Sequence, residues 1–598
     1  MAEFVGIDPA GVRRLITSMD DAVQRAQTLR PSLSASIAEA GTDWPAGPGA
    51  EVLDGVGRFL DETRRDLTWR TQTIERVEGA SSQGGLRSAE FAFGDAAAAR
   101  TAGTLAGKRT LAAWQAYQKD PSVQNWEKVQ GVLREGQGRT ADAAYSAGLF
   151  ATLGTGAFVG IFAAVSARNQ NDTRGYSPAN LAKAKKDLGP LAEAFASTDA
   201  AGTLPRDLRD RALGDLPIAD MAALLGLARQ AREFVLAAGA KLLQYSGSRV
   251  DGKDWNIYWL AKALSRDVGA TQRFLASAEN AALLLRPEVV NGLDGTDFEQ
   301  LLATALDGAL APGTGDVTLR RDAWLNIINT LSRKNFWPSL TSDHEKGEWI
   351  SASAPSSVGQ VLAKHVPQYF PELIAVWNQG HNVPVITPTE DWRGVDSEKI
   401  AGFFGGLLQG HGTLAPLKTG YGKFLLDLDL GKNHPFGDAP TEAEREEQRG
   451  IFYRKAVDAG ALASMIFAGL HEADLSAEAT NEIIADLLLL PMDALIGWGA
   501  GEMVSKGVWV GALTGKTADA VGKNDLKGVV EGLLNEGGPG EASDLIDVLV
   551  DSQLAAFNLS RQAHGEAPLG DSDLRQLKDL FYGRLEPVLK DALRARGG

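Results

Sequence analysis

The chain has 598 residues, too many for one compact core, and a prior of about 150 residues per domain gives roughly three or four folded units. Its 60 basic and 76 acidic residues leave a formal charge of −16 and a pI near 5.1, which repels nucleic acid and anionic lipid head groups, so no nucleic-acid partner is expected. The absence of cysteine excludes disulfides, thiolate zinc sites and cysteine nucleophiles.

The first nine residues, Met1 to Pro9, lack a basic stretch followed by an apolar one, so no standard cleaved signal peptide is read there; the expectation is a cytoplasmic protein or one exported by another route. Asp8 before Pro9 is a helix start, because the carboxylate can accept from free backbone amides while proline sits where no amide is needed. Val12, Leu15, Ile16, Met19, Val23, Ala26, Leu29, Leu33 and Ile37 then trace one helical stripe, which Pro31 is expected to kink or reset. After the turn Gly41 to Gly49, a second stripe of Val52, Val56, Phe59, Leu60, Leu67, Ile74 and Val77 runs to Gly79. Two amphipathic helices around a tight loop make an antiparallel helical hairpin over 1–82, whose seams leave apolar surface for a third helix or a partner.

A hairpin with Trp44-Pro45-Ala46-Gly47 in its turn resembles the Trp-X-Gly substrates of type VII secretion, with a turn one residue longer than the family motif. The nearest copy of that family's Tyr-x-x-x-Asp/Glu export signal is Phe91-x-x-x-Asp95, which lacks the hydroxyl. The rest of the chain resembles large Ala-rich actinobacterial helical proteins carrying such a hairpin. The resemblance implies a non-enzymatic, secreted interaction protein without a cofactor, docking a protein partner or a second copy through Trp44, Gly47, Phe59 and Leu67.

Within the helical region 83–172, residues Ala143 to Ala167 carry no charge and are long enough to cross a bilayer, with Gly156 and Gly160 as a small-xxx-small pair for close helix packing. Its many Ala, Gly, Ser and Thr make a buried central helix the leading expectation, ahead of a membrane-inserting segment or an oligomer contact. A central body over 173–440 and a C-terminal domain over 441–598 follow. The division rests on breaks such as Ala311-Pro-Gly-Thr-Gly315, Ser351 to Ser357 and Gly437 to Pro440, and on Thr441-Glu-Ala-Glu444, read as a capping box. The fold class is all-α: a hairpin followed by packed helical bundles.

Chemistry is thinly signalled. Gly511 to Thr517 has three residues, not four, before its Gly-Lys, and cannot wrap a phosphate. Asp427, Asp429 and Asp438 have Lys432 where a calcium loop needs glycine, and His344-Glu345 lacks the second histidine of a zinc helix. The expected function is therefore interaction or assembly through the hairpin; the alternatives are a delivered effector with a membrane-active 143–167, and a hydrolase whose cleft is assembled from distant residues.

Overall fold

The computed structural model describes residues 3–473, except 40–45, 77–80, 84–85, 170–174, 247–253, 294–295, 334–356, 381–391, 393, 410–411 and 429–440, together with positions 570, 575, 578 and 579. Among these the fold is all-α, with three short strands near the N-terminus that helical periodicity does not announce. Two compact units are formed, Met1–Arg249 with Lys253–Arg266, and Val250–Gly252 with Asp267–Gly598.

The first unit opens with β1 (Glu3–Ile7), α1 (Pro9–Glu39) and α2 (Ala46–Arg76). Asp8 caps α1 by accepting from the Ala10 amide at 3.0 Å. Contrary to expectation, α1 runs on through Pro31; the carbonyl that loses its amide partner there lies on an exposed stretch, where water can satisfy it. The strands β2 (Ser81–Gln83) and β3 (Leu86–Phe91) join β1 in an antiparallel sheet of order β1-β3-β2, with Val5 opposite Ala89 and Ser82 opposite Arg87. The hairpin of 1–82 is thus two helices over 9–76 closed at the base by a small sheet.

Next come α3 (Ala96–Lys119), α4 (Val123–Glu135), α5 (Ala143–Leu153), α6 (Thr155–Asn169) and α7 (Pro178–Ala200). The unit closes with α8 (Arg206–Asp215), α9 (Ile218–Leu227), α10 (Arg232–Ser246) and α11 (Trp255–Leu264). Its central helix is α7, packed against α4, α5, α6 and α9 and buried from Leu188 to Asp199 apart from Gly189 and Glu193. Phe195 of α7 stacks on Phe158 of α6 at 5.7 Å and meets Phe234 of α10 edge-on at 4.9 Å, a geometry that suits the ring quadrupoles.

The tightest crossing is between α3 and α5. A Cβ on Gly103 would lie 1.8 Å from the Tyr145 carbonyl oxygen, one on Gly107 2.4 Å from that of Leu149, and one on Gly148 2.2 Å from that of Arg100. The helices approach backbone to backbone, so only glycine fits at these three positions.

In the second unit, α12 (Val268–Leu275), α13 (Ala278–Leu284), α14 (Pro287–Gly292), α15 (Phe298–Leu310) and α16 (Val317–Leu331) lead to α17 (Ser357–His365). A 3-10 turn, Val366–Tyr369, then precedes α18 (Phe370–Gly380), α19 (Ser397–Gln409), α20 (Leu414–Leu428) and α21 (Glu442–Glu472). The Ala311–Gly315 stretch is the turn between α15 and α16, held by the buried Gln272, whose amide donates to Ala309 and Thr314 carbonyls at 2.8 and 3.1 Å and whose oxygen accepts from the Asp316 amide at 2.9 Å. Trp324, fully enclosed, packs on Tyr369 at 5.3 Å and Phe403 at 6.2 Å. Thr441 and Glu444 form the expected capping box of α21, the Glu444 amide donating to Thr441 Oγ1 at 3.2 Å and the Thr441 amide to Glu444 Oε2 at 3.1 Å.

Candidate interaction surface

The base of the hairpin is anchored and the rest of it is not. Ile7, Trp69, Ile74 and Phe91 form a buried cluster against which Val12, Phe93, Ala96 and Ala144 pack. The Trp69 indole meets Phe91 edge-on at 5.6 Å and donates from Nε1 to Asp142 Oδ2 at 3.0 Å. Asp142 also caps α5, accepting at Oδ1 from the Ala144 and Tyr145 amides at 2.8 and 3.1 Å. Burial pushes this carboxyl above its ordinary range, only partly offset by the hydrogen bond from Trp69 and those from the two amides. Both residues of the export-like pattern have structural work here: Phe91 is the last residue of β3 in this cluster, and Asp95 caps α3 by accepting from Ala98 at 2.7 Å.

Beyond the cluster the two helices run antiparallel, joined by the ion pairs Arg13 with Glu75, Asp20 with Arg64 at 2.5 Å and Arg30 with Asp54 at 3.0 Å. Such exposed pairs contribute about 0.2–1 kcal/mol each and set register more than stability. Before Trp69, no described residue of either helix is fully buried. Ile16, Met19 and Val23 of α1 and Leu53, Leu60 and Leu67 of α2 are half-buried in the seam.

The pairing of Asp20 with Arg64 marks one edge of the hairpin. At about 100° per residue, Leu29, nine residues past Asp20, stands on the opposite side of α1, and Phe59, five before Arg64, is turned about 140° from it on α2. In an antiparallel pair both displacements lead to the same face. That face carries Leu15, Leu29, Val52, Val56 and Phe59, which are 46, 59, 65, 45 and 65% exposed. Ala22, Gly55 and Thr63 share it; Glu62, seven residues after Gly55, and Arg25, four before Leu29, stand at its outer margin, and Asp66 and Arg70, paired with each other at 2.8 Å, close it near the base. The hairpin is two-faced: an ionic ladder along one side and an apolar strip, edged by single charges, along the other.

Of the residues expected to mediate interaction, Trp44 lies outside the described residues and Gly47 falls in the first turn of α2. Phe59 lies on the exposed strip; Leu67 is half-buried on the side turned to α1, seven residues on from Leu60. The structure therefore groups Phe59 with Val52, Val56, Leu15 and Leu29, not with Leu67. Reading the stripes as one seam merged the inner and flanking positions, and the antiparallel register separates them.

The 143–167 segment is not one helix. It breaks at Gly154, whose φ of +74° is accessible to glycine at little cost, and α5 and α6 diverge by 95°. Among the described residues no single helix is long and apolar enough to cross a membrane. Phe150, Phe158, Ile161, Phe162 and Val165 are buried. Gly156 has open space around it, whereas a Cβ on Gly160 would come 2.7 Å from the Trp114 ring. Within this chain only Gly160 of the two meets a neighbour, and the backbone-to-backbone approach is made by Gly103, Gly107 and Gly148.

Gly511 to Thr517, His344 with Glu345, and Asp429 to Asp438 lie outside the described residues, and Asp427 falls in α20. Among the described residues no three His, Asp or Glu side chains gather as metal ligands. His365, buried, places Nε2 2.7 Å from Asp307 Oδ1, which also accepts from Lys364 at 2.8 Å. Burial lowers the His365 pKa against the opposing pull of Asp307; burial raises that of Asp307, but the hydrogen bonds and charges of Lys364 and His365 hold it below its ordinary value. The arrangement links α17 to α15. The sequence matches no protein-family model and no curated protein.

Proposed function

We propose that this chain is a non-enzymatic interaction protein of the type VII secretion hairpin kind, exported without a cleaved signal peptide, whose N-terminal hairpin docks a helical protein partner or a second copy. The observation that carries this reading is the exposed apolar strip of Leu15, Leu29, Val52, Val56 and Phe59 along a hairpin whose opposite edge is ionic. Leu15 to Leu29 spans about 21 Å along α1, and two helices abreast are about 20 Å wide, so the strip offers roughly 400 Å², about half the roughly 800 Å² per partner of a standard interface. An apolar strip on a chain of net charge −16 favours a partner of apolar shape complementarity over one steered by charge.

The test is the mass of the full-length protein by light scattering at two concentrations and two ionic strengths, with and without the triple change Leu29→Ser, Val56→Ser and Phe59→Ser. A dimer or larger assembly, insensitive to salt, is expected to fall to a monomer while far-UV circular dichroism keeps its helical signal. An assembly that survives the triple change would place docking elsewhere. A monomeric unchanged chain would overturn self-association.

A further inference from the structure

One ionisable group in the first unit is enclosed with no charged partner and no backbone amide, only the Ser166 hydroxyl nearby. Asp220, in the first turn of α9, is fully buried, and neither carboxyl oxygen has a hydrogen-bond partner. The neighbouring Tyr176 is also fully enclosed, with an unpartnered hydroxyl. Ser166, near the end of α6, is close enough to both to favour their charged forms slightly. Buried acids elsewhere in this unit have a charged or hydrogen-bonding partner: Asp142 has Trp69 and two amides, Asp187 has Gln130 and Arg134, and Asp199 has Arg209 on Oδ1 while its Oδ2 is unpartnered.

No charge faces Asp220 from the helices around it. It sits on α9, which packs against α6, α7, α10 and α11, and the titratable group beside it is Tyr176, just ahead of α7. Arg168 of α6 lies over the Trp126 ring, and Lys183, Lys185 and Lys186 of α7 are exposed. Glu193 of α7 pairs with Arg76. Arg232, Glu233 and Lys241 of α10 are exposed, and Lys262 of α11 lies over Trp259.

An ionised carboxylate without partners is costly to enclose, so the packed arrangement requires the neutral acid. We propose that the junction of α6, α9 and Tyr176 is a proton-operated latch, closed while Asp220 is neutral and loosened when its carboxyl ionises. The latch holds α6, the second half of the uncharged stretch, and the approach to α7, where the Tyr176 carbonyl accepts from Trp259 Nε1 at 2.7 Å. It opens on alkalinisation, the reverse of a histidine switch.

The direction follows from linkage. Desolvation raises the folded-state pKa of Asp220 to about 7, above the ordinary carboxylate value that it regains when α9 opens. Between those values the closed state binds a proton that the open state has released, so closure weakens as pH rises, by up to roughly tenfold in the opening equilibrium per pH unit, and levels off above the folded value.

Hydrogen exchange on the full-length protein at pH 5, 6, 7 and 8, expressed as protection factors to remove the intrinsic pH dependence of exchange, tests this against Asp220→Asn. In the unchanged chain, protection of α6 and α9 amides is expected to fall about fiftyfold from pH 5 to pH 7 and to level off above; in Asp220→Asn it is flat. Equal slopes in both would overturn the latch. Ser166→Ala provides a second arm if the asparagine variant does not fold. Removing the one hydroxyl that favours the carboxylate is expected to move the transition to higher pH, and an unmoved midpoint would also overturn the proposal.

Discussion

Gly103→Leu is expected to abolish the stable fold of the first unit, whereas Gly156→Leu, at the position that the sequence marks for close packing, leaves it intact. At Gly103 even the first added carbon would overlap the Tyr145 carbonyl oxygen and come within 3.1 Å of the Leu149 nitrogen. Those are backbone atoms of α5, which cannot rotate away as a side chain can. The helices must separate, uncovering Ala99, Ala106 and Ala113 of α3 and Leu149 of α5, all buried. Overpacking of a core costs about 1–3 kcal/mol when side chains can adjust; here at least about 4 kcal/mol is expected, a large share of the roughly 5–15 kcal/mol that holds a domain together. Gly156 has nothing within reach of a Cβ and sits in the first turn of α6, so an added side chain removes glycine's entropic penalty and changes stability by less than about 1 kcal/mol. Urea unfolding followed by tryptophan fluorescence separates the two, and similar midpoints would refute the packing argument.

Trp69→Ala has the second largest expected effect, and it is local. The change removes the indole from the cluster of Ile7, Ile74 and Phe91 and withdraws one of the three donors that Asp142 uses. Truncating a buried aromatic costs about 3–5 kcal/mol, and the orphaned lone pair on Asp142 adds to it. The hairpin beyond this point has only a half-buried seam and exposed ion pairs, so loss of the anchor should free α1 and α2 while the core around α7 persists. Limited proteolysis is expected to cut within residues 9–76 many times faster in the variant, leaving a stable fragment that begins near α3. Cleavage at the same rate in both proteins would show that the seam alone suffices.

How much of this could be read beforehand depends on the range of the interaction. The hairpin, the caps at Asp8 and Thr441 and the all-α class are local: a carboxylate before a proline, a Thr-x-x-Glu box, apolar residues at helical spacing. The sheet escapes the sequence because Phe4 to Ile7 and Leu86 to Phe91 are short and pair across some eighty residues. The break in 143–167 escapes it because composition does not distinguish a glycine that continues a helix from Gly154, which turns it. The strip is half legible: Phe59 stands out, but Leu15, Leu29, Val52 and Val56 separate from the seam only with the Asp20 to Arg64 register in hand. Gly103 and Gly107 carry a spacing signal, three residues between them, that is common in any chain with 67 glycines.

Backbone contact between helices recurs in the second unit, where a Cβ on Gly405 of α19 would lie 2.8 Å from the Gly469 carbonyl oxygen of α21. At such crossings the admissible alphabet shrinks to a single letter, while the leucines and phenylalanines around them can be exchanged for one another as long as volume is kept. Descendants of this chain can therefore drift almost everywhere in the core and still be tied together by a few glycines at fixed separations. Three residues between Gly103 and Gly107, with Gly148 facing them, would be a more durable kinship mark than the tryptophan turn.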